Sequence, residues 1–229
     1  VENLMIIRNY MNHMPESDIK VELVKCDAAG LMDVADLKSK MSSDVCAVLI
    51  ENPTYLGSVE VSAKEIGKIA KDGGAEFIVY TDPISLGVME APANYGATIT
   101  CGDIHTLGLH MGAGGCQGGF LATFDDMKYI GEFKDLMFGI AETVVDGEYG
   151  FGEILYDRTS YGSRDKANEF TGTSTGLWAI TAGVYLATMG PQGMEEVGTT
   201  IMQRAQYAAK KIAEIPGVEV KMNGPFFKT

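Results

Sequence analysis

Two short, unbroken apolar runs, Val45-Cys-Ala-Val-Leu-Ile50 and Phe77-Ile-Val-Tyr80, constrain this chain more than any other feature. Runs of that length without polar alternation predict strands covered on both faces, as the central strands of a parallel sheet are. Between them, Ser62-Ala-Lys-Glu65 reads as a capping box; Ile66, Ile69 and Ala70 continue a helix, and Gly73-Gly74 stops it. Ahead of them, Asp33 is placed to cap a helix with Val34, Leu37 and Met41 on one face. Ile19 to Lys25 alternates apolar and charged residues and predicts a half-buried strand. Strand, helix, strand, helix, strand implies right-handed parallel crossovers, hence an α/β fold with a mostly parallel sheet flanked by helices.

Ligands of such sheets gather outside the carboxyl ends of the strands. Three segments belong on that rim. One is Asn52 to Gly57, within a Pro- and Gly-broken loop, and another is Asp82, directly after the strand that ends at Thr81. The third is the His105 loop, within a stretch that runs from Ala97-Thr-Ile-Thr-Cys101 through His105 and His110 to Gly112, Gly114, Gly115, Gly118 and Gly119, then into a strand at Phe120 to Thr123. Glycines this dense let backbones approach closely. They match neither a P-loop nor a Gly-x-Gly-x-x-Gly turn after a first strand, so close packing at the sheet is favoured over phosphate binding.

The remaining segments are read more coarsely. Val1 to Met14 is a helix end, or a strand plus helix. Asp125 begins a cap and short helix, and Glu142 to Arg158 is a hairpin or a mobile segment. Asp165 to Met189 predicts a packed helix leading toward a second domain. A further helix starts at Pro191, with Val197, Ile201, Ala208, Ile212 and Ile215 as its apolar stripe, and Pro216-Gly217 ends it. Glu195 and Glu196 lie near its positive end, Lys210 and Lys211 near its negative end. Val218 to Met222 predicts a strand opening a small α+β domain. The expected division is a large domain over 1–189 and the start of a small one over 190–229. The chain opens on Val1 without methionine and stops soon after Gly224-Pro-Phe-Phe227, so a piece of a longer protein is expected.

A net charge of −13 over 229 residues argues against nucleic acid and against an anionic membrane surface, since both bind through Lys and Arg. No apolar run approaches the roughly 20 residues of a membrane span. Cys26, Cys46, Cys101 and Cys116 are scattered, as expected of reduced thiols rather than a disulfide framework. Cys101, His105, His110 and Cys116 have ligand-type side chains with Asp103 among them, but their spacing matches no compact zinc knuckle. Ser58, Ser85 and Ser160 lack a nucleophile elbow. Asp82 has the position of an aspartate that pairs with the pyridinium nitrogen of pyridoxal phosphate, and equally that of a cap for the Pro83 turn. Such a cofactor also needs a lysine, and none occurs between Lys71 and Lys128.

Glu51-Asn-Pro-Thr-Tyr-Leu-Gly-Ser-Val-Glu60, Thr81-Asp-Pro-Ile-Ser-Leu-Gly87 and the Gly102-to-Phe120 stretch together resemble the glycine cleavage system P-protein, glycine dehydrogenase (decarboxylating). More particularly they resemble its subunit 1, the homologue of the N-terminal half in two-subunit enzymes. Arg164-Asp-Lys-Ala167, Tyr185-Leu-Ala-Thr-Met-Gly-Pro-Gln-Gly193 and Asn223-Gly-Pro-Phe-Phe227 add to the match, in order and over nearly the whole chain. The resemblance implies a fold-type-I pyridoxal-phosphate transferase architecture, with the N-terminal part of its large domain ahead of Val1. It also implies a role in glycine decarboxylation and aminomethyl transfer to the lipoyl arm of the H-protein.

In the catalytic subunit a His-Lys pair carries the cofactor; in the register of the glycine-rich stretch that lysine falls on His105, preceded by Ile104. Asp82 falls on the pyridine-nitrogen position, and Asn52 and Thr54 on a loop bordering the cofactor. The implied role is therefore a cytoplasmic, non-catalytic subunit with a relic pocket. Its partner would be a lysine-bearing subunit 2, which would bind the pyridoxal phosphate. Two other readings stay open on the residues: a lysine-free module holding pyridoxal phosphate or an amino acid non-covalently, and a metal-dependent enzyme built on the Cys and His residues above.

Overall fold

The structure, a computed structural model, describes residues 2–12, 19–110, 118–133, 137–166, 175–220 and 224–228. Helix α1 (Glu2–Asn12) is followed by α2 (Val34–Lys40), where Asp33 accepts the N–H groups of Ala35 and Asp36 as the predicted cap. Strand β1 (Ala47–Glu51), helix α3 (Ala63–Asp72) and strand β2 (Glu76–Tyr80) form a parallel crossover. Strand β3 (Ile99–Asp103) pairs parallel with β2, and β4 (Gly119–Thr123) pairs antiparallel with β3, giving the order β1-β2-β3-β4. Val48 and Ile50 on β1 and Phe77 and Val79 on β2 point to one face. There they meet Leu37 of α2 and Ile66 and Ala70 of α3 in the first core.

Several local expectations change. The Val45–Ile50 run is an edge strand among the described residues and is covered on one face only, leaving Ala47 and Leu49 exposed. Ile19 to Lys25 is extended but unpaired. It is tied down locally, with Lys40 Nζ donating to the Leu23 carbonyl, the Lys25 N–H to Asp36 Oδ2 and the Asp33 N–H to the Lys25 carbonyl. The capping box also fails. Ser62 already has near-helical backbone angles (φ −91°, ψ 8°), so its hydroxyl makes no cap bond, and Glu65 turns outward to Lys38. Glu60 takes over by accepting the Ser62 N–H at 3.0 Å.

A short helix, α4 (Met127–Ile130), is capped by Asp126 and leads to a hairpin of β5 (Met137–Glu142) and β6 (Tyr149–Ile154). After α5 (Ser160–Ser163) comes α6 (Gly176–Ala213), broken at Gly190 (φ 60°, ψ −178°) just before Pro191. Proline disfavours helical geometry in the residue before it, and glycine adopts positive φ without a Cβ penalty. Trp178, Ala182, Tyr185, Val197 and Ile201 of α6 pack on Ile84, Leu107 and Phe227 in a second core. Ala208, Ile212 and Ile215, expected on the same stripe, are exposed, since no described element covers that end of α6. Val218 to Val220 form no strand; residues 221 and 222 lie outside the described residues.

Candidate functional site

Parallel pairing brings the ends of β1, β2 and β3 side by side, and the loops that follow enclose a cavity of about 270 Å³. Asp82 sits at its wall. Its Oδ1 accepts the Ile84 N–H at 3.1 Å and the Thr106 hydroxyl at 2.8 Å, so it caps the Pro83–Gly87 turn and ties it to the loop after β3. The Lys228 ammonium lies against the other oxygen, Oδ2. That lysine arrives because the 224–228 segment runs back over the sheet end. Phe227 is fully buried, its N–H donates to the Gly57 carbonyl, and the Val59 N–H donates to the Pro225 carbonyl.

Glu51 and Asp103 supply two more carboxylates to the cavity. Asn3 of α1 donates to Glu51 Oε1 at 2.8 Å and the Tyr55 N–H to Oε2 at 3.2 Å. Tyr80, the last residue of β2, donates its hydroxyl to Asp103 Oδ2 at 3.2 Å. Burial, then the neighbouring Asp103 carboxylate, push the Tyr80 phenol up to about 12. It therefore remains a donor across the physiological range.

The other residues singled out in the sequence are placed as follows. Thr54 lines the cavity, with its hydroxyl oxygen accepting the Ser58 N–H. Asn52 is turned into the scaffold. It precedes a cis bond to Pro53; its Oδ1 accepts the Glu60 N–H at 3.1 Å, and its carbonyl accepts the Thr81 hydroxyl at 2.7 Å. His105 receives no place on the cavity wall. Its N–H donates to Asp103 Oδ1, and its Nδ1 lies 3.2 Å from the Leu109 carbonyl.

Burial raises the Cys101 thiol above its ordinary range, which weakens it as nucleophile or ligand. Cys116 and the glycines at 112, 114 and 115 lie outside the described residues. Among the described residues, no three His, Cys, Asp or Glu side chains converge to hold a metal ion.

Sequence reasoning missed Glu51, Tyr80, Thr106 and Lys228. Strand alternation could have found Tyr80 and Asp103 as a pair, since both end strands on the same rim. No local signal marks Lys228, which only the path of the 224–228 segment brings in.

The mostly parallel sheet has the fold of the fold-type-I pyridoxal-phosphate-dependent enzymes. The crystal structure of a Burkholderia pseudomallei sphingosine-1-phosphate lyase matches the fold at a TM-score of 0.60 and 15% identity, over 91% of this chain and 44% of that one. A family model for the glycine cleavage system P-protein matches residues 2–229, and the chain belongs to that family.

It is 38% identical, over 87% of its length, to a probable glycine dehydrogenase (decarboxylating) subunit 1 of Prosthecochloris aestuarii, and covers 44% of that protein. The Pyrococcus furiosus counterpart is 32% identical over 99% of this chain and 49% of its own. A crystal structure of glycine decarboxylase (P-protein) in inhibitor-bound form superposes at a TM-score of 0.87 with 31% identity, covering 99% of this chain and 49% of that one. The chain thus spans about half the length of the relatives it matches.

The described residues do not fit pyridoxal phosphate. Both oxygens of Asp82 are engaged, and three carboxylates against one ammonium would face a phosphate dianion.

Proposed function

We propose that this chain is the non-catalytic subunit of a glycine-decarboxylating P-protein. It would pair with a lysine-bearing subunit 2 that holds pyridoxal phosphate. The complex would decarboxylate glycine and pass the aminomethyl group to the lipoyl arm of the H-protein. The reading is carried by His105, which the register of the glycine-rich stretch sets where a cofactor amine would be required: imidazole forms no stable internal imine, and its ring here bonds to the Leu109 backbone. The acidic lining of the cavity and the relatives' description as subunit 1 support it.

In this reading residues 1–189 belong to the large domain and 190–229 open the small one, and the complex is cytoplasmic. Among the described residues no helix is long and apolar enough to cross a membrane.

The test is to express the full-length protein alone and with its partner, and to follow exchange of labelled carbon dioxide into the glycine carboxyl group. Activity is expected only in the mixture. Exchange by the lone chain, or borohydride fixing of pyridoxal phosphate onto it, would overturn the reading.

A further inference from the structure

Among the described residues the rim contains one amine, Lys228, and it lies against Asp82. We propose that Lys228 is an internal stand-in for a ring cation: it occupies Asp82 and closes this pocket to a pyridinium ligand. The inference rests on the subunit reading above for one point only, that Asp82 holds the ring-binding position.

Two observations carry it. First, the ammonium lies on Oδ2, the one Asp82 oxygen left over after Ile84 and Thr106 have used Oδ1. A pyridinium N–H aimed at Asp82 would need that same oxygen. Second, Lys228 is not a freely swinging surface residue. The adjacent Phe227 is fully buried in the second core, Phe226 bridges to Ser58, and two backbone hydrogen bonds clamp 225–227 to the loop after β1. The segment thus fixes the Lys228 backbone beside the cavity, so that only the rotamers of the side chain itself have to be ordered for the ammonium to reach Asp82. A charge-assisted contact so placed is stronger than a neutral one, so an incoming ring would have to displace it.

The test uses the full-length protein, its Lys228→Met variant, which keeps the stem and drops the charge, and Lys228→Arg, which keeps the charge. The probe is pyridoxamine, a ring cation without the phosphate that the acidic lining would repel, followed by equilibrium dialysis and ligand fluorescence. Lys228→Met is expected to bind roughly tenfold to a hundredfold more tightly than the parent, because the ion pair that occupies Asp82 Oδ2 no longer has to be displaced. Lys228→Arg should bind no better than the parent. Equal affinity in all three proteins, or tight binding by the unaltered chain, would overturn the proposal. Thermal melting of each variant verifies that it is folded. Failure here leaves the subunit reading standing, because that reading is decided by carbon dioxide exchange and borohydride fixing.

Discussion

The first 110 residues and the segment from 137 to 188 treat apolar side chains in opposite ways. In the first region the strands and α3 enclose Ile66, Phe77 and Val79 almost completely. In the second, β5 and β6 turn Phe138, Ile140, Tyr149 and Phe151 to one side of a hairpin, and Phe151 is 81% exposed. The first half of α6 is apolar on two sides: Trp178, Ala182 and Tyr185 face the second core, while Leu177, Ile180 and Val184 are exposed. A helix apolar on two sides is ordinarily buried on both, and a lone two-stranded hairpin is marginal in water. The first region is held by its own packing, and the second carries surface suited to being covered.

The sharpest way to break this comparison is a pair of truncations. Phe77→Ala should destabilise the chain by about 3–5 kcal/mol, because Phe77 is 1% exposed and its removal leaves a cavity between α3 and the sheet. Phe151→Ala should change stability by less than about 0.5 kcal/mol in the same urea titration. Comparable losses at both positions would mean that the hairpin is part of the core.

Next in size is Gly102→Ala. A Cβ there would lie 2.2 Å from the Thr81 carbonyl, and that oxygen belongs to a strand end whose own position is fixed by pairing. Destabilisation of about 1–3 kcal/mol is expected from the overpacking, read from the urea midpoint. Gly87 tells the same story from the other side of Asp82: its missing Cβ lets the capped turn rest against the Met194 carbonyl of α6.

The contrast also explains what the sequence revealed. The β1-α3-β2-β3 order, the Asp33 cap and the rim position of Asp82 were readable, because each follows from a local pattern joined to the rule for parallel crossovers. The hairpin was expected from Glu142 but begins at Met137, since the glycines of β5 and β6 hid the alternation of their partners. The cover expected on both faces of β1 is found on one only, because an apolar run records only that something covers it, not whether that cover lies within the described residues. The site was half legible. Asp82 and Thr54 sit at the cavity, whereas Asn52 and His105 spend their polar atoms on the scaffold, and Lys228 depends on a tertiary return that no local pattern encodes.

A smaller effect, specific to the rim, is Tyr80→Phe, which removes one hydroxyl bond and should cost about 1 kcal/mol. Its pH signature has a definite sign. Folding raises the Tyr80 phenol from 10.0 to about 12, so the stability linked to its proton is intact below pH 10 and declines as pH rises toward 12. Ultraviolet titration of the folded chain should show Tyr80 ionising late together with Tyr95, whose phenol burial also raises, and the Phe variant should lose the Tyr80 share of that late step.

The smallest expected effect on the isolated chain is the most informative about the second region. Phe151→Ser replaces an exposed ring on the hairpin's aromatic face, so its melting temperature should stay within about a degree or two of the parent. If that face is covered in a two-subunit assembly, the same change should lower affinity for the partner by roughly tenfold or more, since aromatic anchors dominate interface energetics. Co-purification and sedimentation of the mixture measure it. Unchanged affinity with unchanged melting would show that the hairpin face is exposed in the assembly as well, and would shift the search for the covered surface to Leu177, Ile180 and Val184 on α6.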